Sequence, residues 1–135
     1  MLFKISYDVP ANTAAASPDW QKLHVARGTI TRWVVHMPEE CADLMQFRVE
    51  YRGTQVLPFT RGEYMYGIFE PLSIEDDFFL GTAPYVLDIL AFNLDDSYSH
   101  EYNIMVYVDP PTSPSEQQSS FDFRGAWSRI FGGGV

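Results

Sequence analysis

The sequence predicts an all-β chain: an antiparallel β-sandwich of about eight short strands, of jelly-roll or immunoglobulin-like type, followed by a C-terminal extension. Three observations carry that expectation. Apolar side chains recur with period two, as in Phe3/Ile5/Tyr7 and Met45/Phe47/Val49/Tyr51, and this period marks a strand with one buried face. Turn signals at Pro10, Arg27-Gly28, Pro38, Gly53, Asp95-Asp96 and Pro110-Pro111 punctuate these segments, at intervals usual for sandwiches. No segment before the extension holds a helical apolar repeat long enough to form a stable helix.

The first strand turns Phe3, Ile5 and Tyr7 inward and Lys4, Ser6 and Asp8 outward, and Pro10 stops it. Ala11 to Asp19 is small, polar and closed by Ser17-Pro18, which reads as a loop. Leu23 and Val25 resume the alternation. Arg27-Gly28 is then expected to turn the chain into Thr29–Met37, a β-branched and aromatic run that would be the return arm of a hairpin.

Pro38 ends that arm, and Glu39 to Asp43 suits one helical turn but no stable helix. Met45 to Tyr51 is the cleanest amphipathic strand, its apolar set alternating with Gln46, Arg48 and Glu50. After Gly53, Val56-Leu57 reads as a short edge strand leading into a long loop that runs from Pro58 to Gly67. Ile68–Ile74 and Phe78–Leu80 are weaker strand signals. Tyr85–Leu94 carries two interleaved apolar sets, the pattern of a central strand covered on both faces except at Asp88. A turn through Asp95-Asp96-Ser97 and Tyr98-Ser99-His100 leads into the last strand, Tyr102/Ile104/Val106/Val108.

These elements divide the chain into a sandwich body at 1–109, a Pro/Ser-rich linker at 110–120 and an aromatic tail at 121–135. In the tail, Phe123, Trp127, Ile130 and Phe131 fall on one face of a short amphipathic helix, which Gly125 weakens by about 1 kcal/mol. An extended strand added to a neighbouring sheet, with Phe121 and Phe123 on one side, fits equally. In either state Phe121, Phe123, Trp127, Ile130 and Phe131 are candidate partner-binding anchors, because burying each large apolar side chain is worth about 1.5–3 kcal/mol.

A formal net charge of −9 on 135 residues argues against a nucleic-acid partner, since phosphate binding runs on clustered Lys and Arg. The lone Cys41 has no internal disulfide partner, which fits assembly in a reducing cytoplasm. No signal-peptide or membrane-spanning run is present, so no membrane association is expected.

Residues that can carry chemistry are sparse. His24, His36 and His100 lack metal-ligand spacing, and Cys41 with His36 lacks the flanks of a nucleophile motif. Glu39-Glu40, Asp76-Asp77 and Asp95-Asp96 are paired carboxylates without glycosidase or EF-hand spacing; Asn93, Asp95 and Asp96 suit turn capping better than a calcium ion. Trp20, Trp33, Tyr64, Tyr66 and Tyr98 are candidates for an aromatic platform against sugar rings. The Pro58–Gly67 loop, with Arg61, Tyr64 and Tyr66, is the favoured place for a glycan or subunit contact. No cofactor motif and no enzyme motif is found, so a non-enzymatic role is expected.

Four stretches, Val9–Pro18, Gly28–Arg32, Met37–Ala42 and Ala83–His100, give the chain from Ser6 to Asp109 a pattern that resembles small β-sandwich proteins encoded in structural-gene regions of bacteriophages and prophages. The resemblance implies a virion protein assembled in the host cytoplasm, foremost a capsid decoration or cement protein. Its implied partners are further copies of itself and the major capsid or another virion protein. The alternative it leaves is a carbohydrate- or receptor-binding module of a phage neck, tail or fibre. It carries over no catalytic residue.

Overall fold

The computed structural model describes residues 1–111 and places eight strands along them: β1 (Leu2–Val9), β2 (Asp19–His24), β3 (Gly28–His36), β4 (Met45–Tyr51), β5 (Thr54–Leu57), β6 (Leu72–Leu80), β7 (Val86–Asn93) and β8 (His100–Asp109). One 3-10 turn, Glu39–Cys41, lies between β3 and β4. Pairing is nested and antiparallel, β1 with β8, β2 with β7, β3 with β6 and β4 with β5. The chain is one long hairpin with its tip at Arg52-Gly53, rolled so that successive pairs fall alternately into two sheets of order β1-β8-β3-β6 and β2-β7-β4-β5. That is the double Greek key of a jelly roll. It is not the immunoglobulin arrangement, in which the first two strands neighbour each other in one sheet.

The tip is local chemistry. Arg52 and Gly53 both have positive φ, 53° and 83°, as a type I′ turn requires, and this turn matches the twist of the strands it joins. The inward faces of the two sheets then meet in one apolar core. Trp33, Phe47, Tyr102, Leu57, Leu87 and Ile104 are all essentially buried, and the Phe47 and Tyr102 rings lie 5.4 Å apart across it. β4 follows strict alternation of buried and half-buried residues.

Three local expectations change in the folded chain. β2 and β3 are not a hairpin: among the described residues β2 pairs only with β7, whereas β3 lies between β6 and β8 in the other sheet. A turn signal reports a change of direction, and a sandwich can use it to cross between sheets. The weak strand signals after residue 68 resolve into a single edge strand, β6, with Asp76 turned inward to accept a hydrogen bond from Trp33 Nε1 at 3.0 Å. An inward charge on an edge strand discourages pairing with another chain. The expected short edge strand is β5, and beyond it Met65 bridges Phe47 by two backbone hydrogen bonds, extending the sheet by one residue.

Topology also gives the body two unlike ends. Loops 10–18, 37–44, 58–71 and 94–99 gather at one end, whereas the short connections 25–27, 52–53 and 81–85 lie at the other. Both Met1 and the last described residues are at the short-loop end, where the Met1 ammonium donates to Val108 O at 2.7 Å. At the long-loop end the buried Asn93 donates from Nδ2 to Val9 O and Tyr98 O, and accepts from Asp95 N. One side chain thus ties the end of β1 to the β7–β8 turn.

Candidate functional site

The outer face of the β2-β7-β4-β5 sheet holds a cluster of polar and aromatic side chains. Register fixes its two rows. Trp20, Leu90 and Arg48 lie side by side across β2, β7 and β4, and Lys22, Asp88, Glu50 and Gln55 lie side by side across all four strands. The three inter-strand steps of the longer row span about 14 Å at roughly 4.8 Å per step.

At one side of this face Trp20 is 60% exposed. Its orientation is held, because Nε1 donates to Asp88 Oδ1 at 2.9 Å and the same oxygen receives Lys22 Nζ at 3.0 Å. The Lys22 ammonium also sits 5.3 Å from the Trp20 ring centroid. An exposed indole gains little from water, so fixing it by two polar neighbours suits a contact surface.

The other side is built by Gln55. Its Nε2 donates to Pro58 O, Thr60 O and Glu63 O, and its Oε1 accepts from Gly62 N at 3.0 Å. This amide folds the loop after β5 onto the sheet and brings Arg61 beside Arg48 and Glu50. Together with Gly53, Thr54, Gln55 and Gly62 they line an open cavity of about 310 Å³. Arg48 Nε lies 3.1 Å from Glu50 Oε2, close enough for an ion pair though not aligned as a hydrogen bond. Its guanidinium stacks 5.1 Å from the Tyr64 ring, which in turn meets Phe92 edge-on at 5.0 Å.

The loop residues singled out from the sequence therefore separate. Arg61 enters the cavity, Tyr64 is half-buried beneath Arg48, and Tyr66 is exposed but does not line the cavity. Of the remaining aromatic candidates, Trp33 is fully buried and cannot stack on any ligand, whereas Tyr98 is exposed at the long-loop end. Sequence reasoning passed over Lys22, Arg48, Glu50 and Gln55. A signal for Lys22 existed, because if Leu23 points inward then Trp20, Lys22 and His24 share the outer face of their strand, and the alternation of Met45–Tyr51 likewise puts Arg48 and Glu50 on an outer face.

Among the described residues the candidates His36, Cys41, Asp95, Tyr98 and His100 lie apart from this face, and Asp95, Tyr98 and His100 line a further open cavity of about 530 Å³ with Glu40 and Ser99 at the long-loop end. His36 lines a separate groove of about 250 Å³ on the outer face of the β1-β8-β3-β6 sheet, while Cys41 is buried in the core. Burial raises the Cys41 thiol above its ordinary value, the opposite of what a nucleophile needs. Asp95 accepts from Ser97 N and Tyr98 N and lies 2.7 Å from His100 Nε2. Those contacts, the Ser97 amide first and then His100, hold its carboxyl below the usual value. Its oxygens cap the turn, and among the described residues no three His, Cys, Asp or Glu side chains are grouped to hold a metal ion.

A buried polar cluster marks the β1/β2 edge. Tyr102 Oη and Asp19 Oδ2 are buried without hydrogen-bond partners among the described residues. The Tyr102 hydroxyl is pushed well above its ordinary 10.0 by burial first and then by the charges of Asp19 and Tyr7. A raised folded-state value means that stability is whole below about pH 10 and is lost as pH rises beyond it. Tyr102→Phe is accordingly expected to change stability at pH 7 by less than about 1 kcal/mol, because it deletes an unpaired hydroxyl. It should also move the alkaline unfolding midpoint upward, which urea titrations between pH 7 and 11 would detect.

The tail candidates Phe121, Phe123, Trp127, Ile130 and Phe131, and the linker from residue 112, lie outside the described residues. No protein-family model matches the chain. No curated protein matches it either.

Proposed function

We propose that the chain is a non-enzymatic structural protein of a bacteriophage particle, a capsid decoration protein that repeats on the particle and is anchored through its C-terminal segment. The observation that carries this reading is the polarity of the body. The chain leaves toward its C-terminal segment from the short-loop end, opposite the end at which the four long loops begin, so the proposed anchor and those loops start from opposite ends of the body. The jelly roll supports it at the level of fold, being an architecture of viral capsid proteins, though such folds serve many functions. The resemblance of Ser6–Asp109 to phage structural-region proteins points the same way, and an apolar anchor on a repeating particle gains avidity from effective concentration.

Truncation tests it. Removing Phe121–Val135 should leave a body with unchanged far-UV circular dichroism that no longer co-sediments with particles. Trp127→Ala in the full chain should weaken attachment by about 2 kcal/mol if this residue is a hot spot. Full incorporation of the truncated chain would end the docking proposal.

A second reading is favoured by one observation, the fixed and exposed Trp20 beside the Arg48/Arg61 cavity. On it the body is a carbohydrate- or receptor-binding module of a neck, tail or fibre, and the outer face of the β2-β7-β4-β5 sheet is its contact surface. Jelly rolls are also the frame of lectin domains.

A further inference from the structure

We infer that the outer face of the β2-β7-β4-β5 sheet binds a carboxylated oligosaccharide, a uronate-containing chain, with Trp20 as the stacking surface and Arg61 as the carboxylate partner. The inference rests on the second reading, a saccharide-binding face, and adds to it the chemical class of the ligand.

Charge is the first support. The protein carries a formal −9, yet three of its cations, Lys22, Arg48 and Arg61, converge on this face. The two carboxylates of the facing strands are already engaged: Asp88 holds Trp20 and Lys22, and Glu50 pairs with Arg48. Arg61 forms no ion pair among the described residues and lines the cavity. A guanidinium left unpaired beside a polar recess is the group that takes a carboxylate by two parallel hydrogen bonds.

Shape is the second. Trp20 and Arg48 stand two strand spacings apart, about 10 Å, with Leu90 between them as a nearly buried floor. Arg61 lies beyond Arg48, on the loop that follows β5. A single sugar ring stacked on Trp20 would not reach Arg61, whereas a short chain laid across the strands would. Its apolar ring face would meet the indole, and a uronate further along would meet the cavity. The cavity, at about 310 Å³, is at the small end of ligand pockets. It suits one terminal or branching ring rather than a whole ligand.

Preorganisation is the third. Asp88 and Lys22 hold the indole and Gln55 holds the backbone of the Arg61 loop, so the main freedom left to lose when a ligand arrives is that of the Arg61 side chain itself.

The test titrates the full chain with galacturonate, glucuronate and alginate oligosaccharides, and with neutral oligosaccharides of equal length, by calorimetry. Saturable binding of at least one uronate chain is expected, weaker by about tenfold or more in Trp20→Ala and in Arg61→Ala. Arg61→Lys should recover part of the loss, and added salt should weaken binding. Both positions are exposed, so the variants should melt like the parent, which a thermal scan checks. Equal affinity for neutral chains, or no effect of Arg61→Ala on binding that Trp20→Ala abolishes, overturns the carboxylate assignment and leaves the saccharide face standing. Absence of saturable binding to every oligosaccharide overturns both.

Discussion

Trp33→Ala is expected to destabilise the body by about 3–5 kcal/mol, the usual cost of removing a fully buried indole. Trp33 is 0% exposed on the central part of β3, so the truncation leaves a cavity lined by side chains of both sheets. It also strands Asp76, whose Oδ2 loses the Nε1 donor that now offsets its half-buried position. Against a typical total of about 5–15 kcal/mol, such a loss removes a large share of the folding free energy. Urea unfolding followed by circular dichroism measures it. Trp33→Phe separates the two contributions: it keeps most of the packing and forfeits the hydrogen bond, so a loss of roughly 1–3 kcal/mol is expected. Equal losses in the two variants would mean that the bond to Asp76, and not packing, dominates.

Gly28→Ala should cost about 2–4 kcal/mol, a backbone penalty added to an overlap. Gly28 has φ +155°, and a Cβ there would lie 2.2 Å from Asp109 O and 2.8 Å from Val108 Cγ1. The obstacle is backbone, so it cannot rotate aside, and relief requires the end of β8 to leave β3. That end is where the chain departs toward its C-terminal segment. Gly53→Ala is the control: φ is +83° but the space around it is open, so only the conformational cost of about 1 kcal/mol applies. Hydrogen exchange of the β8 amides near Val108 should rise in Gly28→Ala and stay unchanged in Gly53→Ala.

Much of the fold was legible because strand periodicity is local. Alternation located β1, β4 and β8, and the doubly apolar run marked β7 as central. The edge position of β5 followed from its shortness and from Pro58. What was not legible is instructive. Arg27-Gly28 has the composition of a hairpin turn, but Gly28 serves a close approach to Asp109, 81 residues on in sequence. Asp76 weakened the strand signal of β6, since a charge at an inward position breaks alternation, and its reason for being there is the Trp33 indole.

The candidate site was legible in parts. Trp20, Tyr64 and Arg61 stood out by residue type, and Asp88 as the polar break in an apolar strand. Their relation did not, because Trp20 and Asp88 are joined by strand register. Trp33 looked equivalent to Trp20 as an aromatic on a strand, and only its neighbours distinguish a core indole from an exposed one.

By itself the sequence determined an all-β sandwich, the positions of most of its strands, and its acidic balance, all properties of single residues or near neighbours. Tertiary structure alone decided the nested strand order that makes it a jelly roll, the gathering of long loops at one end, and the assembly of Trp20, Lys22, Asp88, Arg48 and Arg61 on one face. The physical reason is that sheet pairing is a contract between distant residues. Period two tells each strand which side to bury, but side-chain alternation is the same for any partner, so the choice among partners falls to the packing of the whole core.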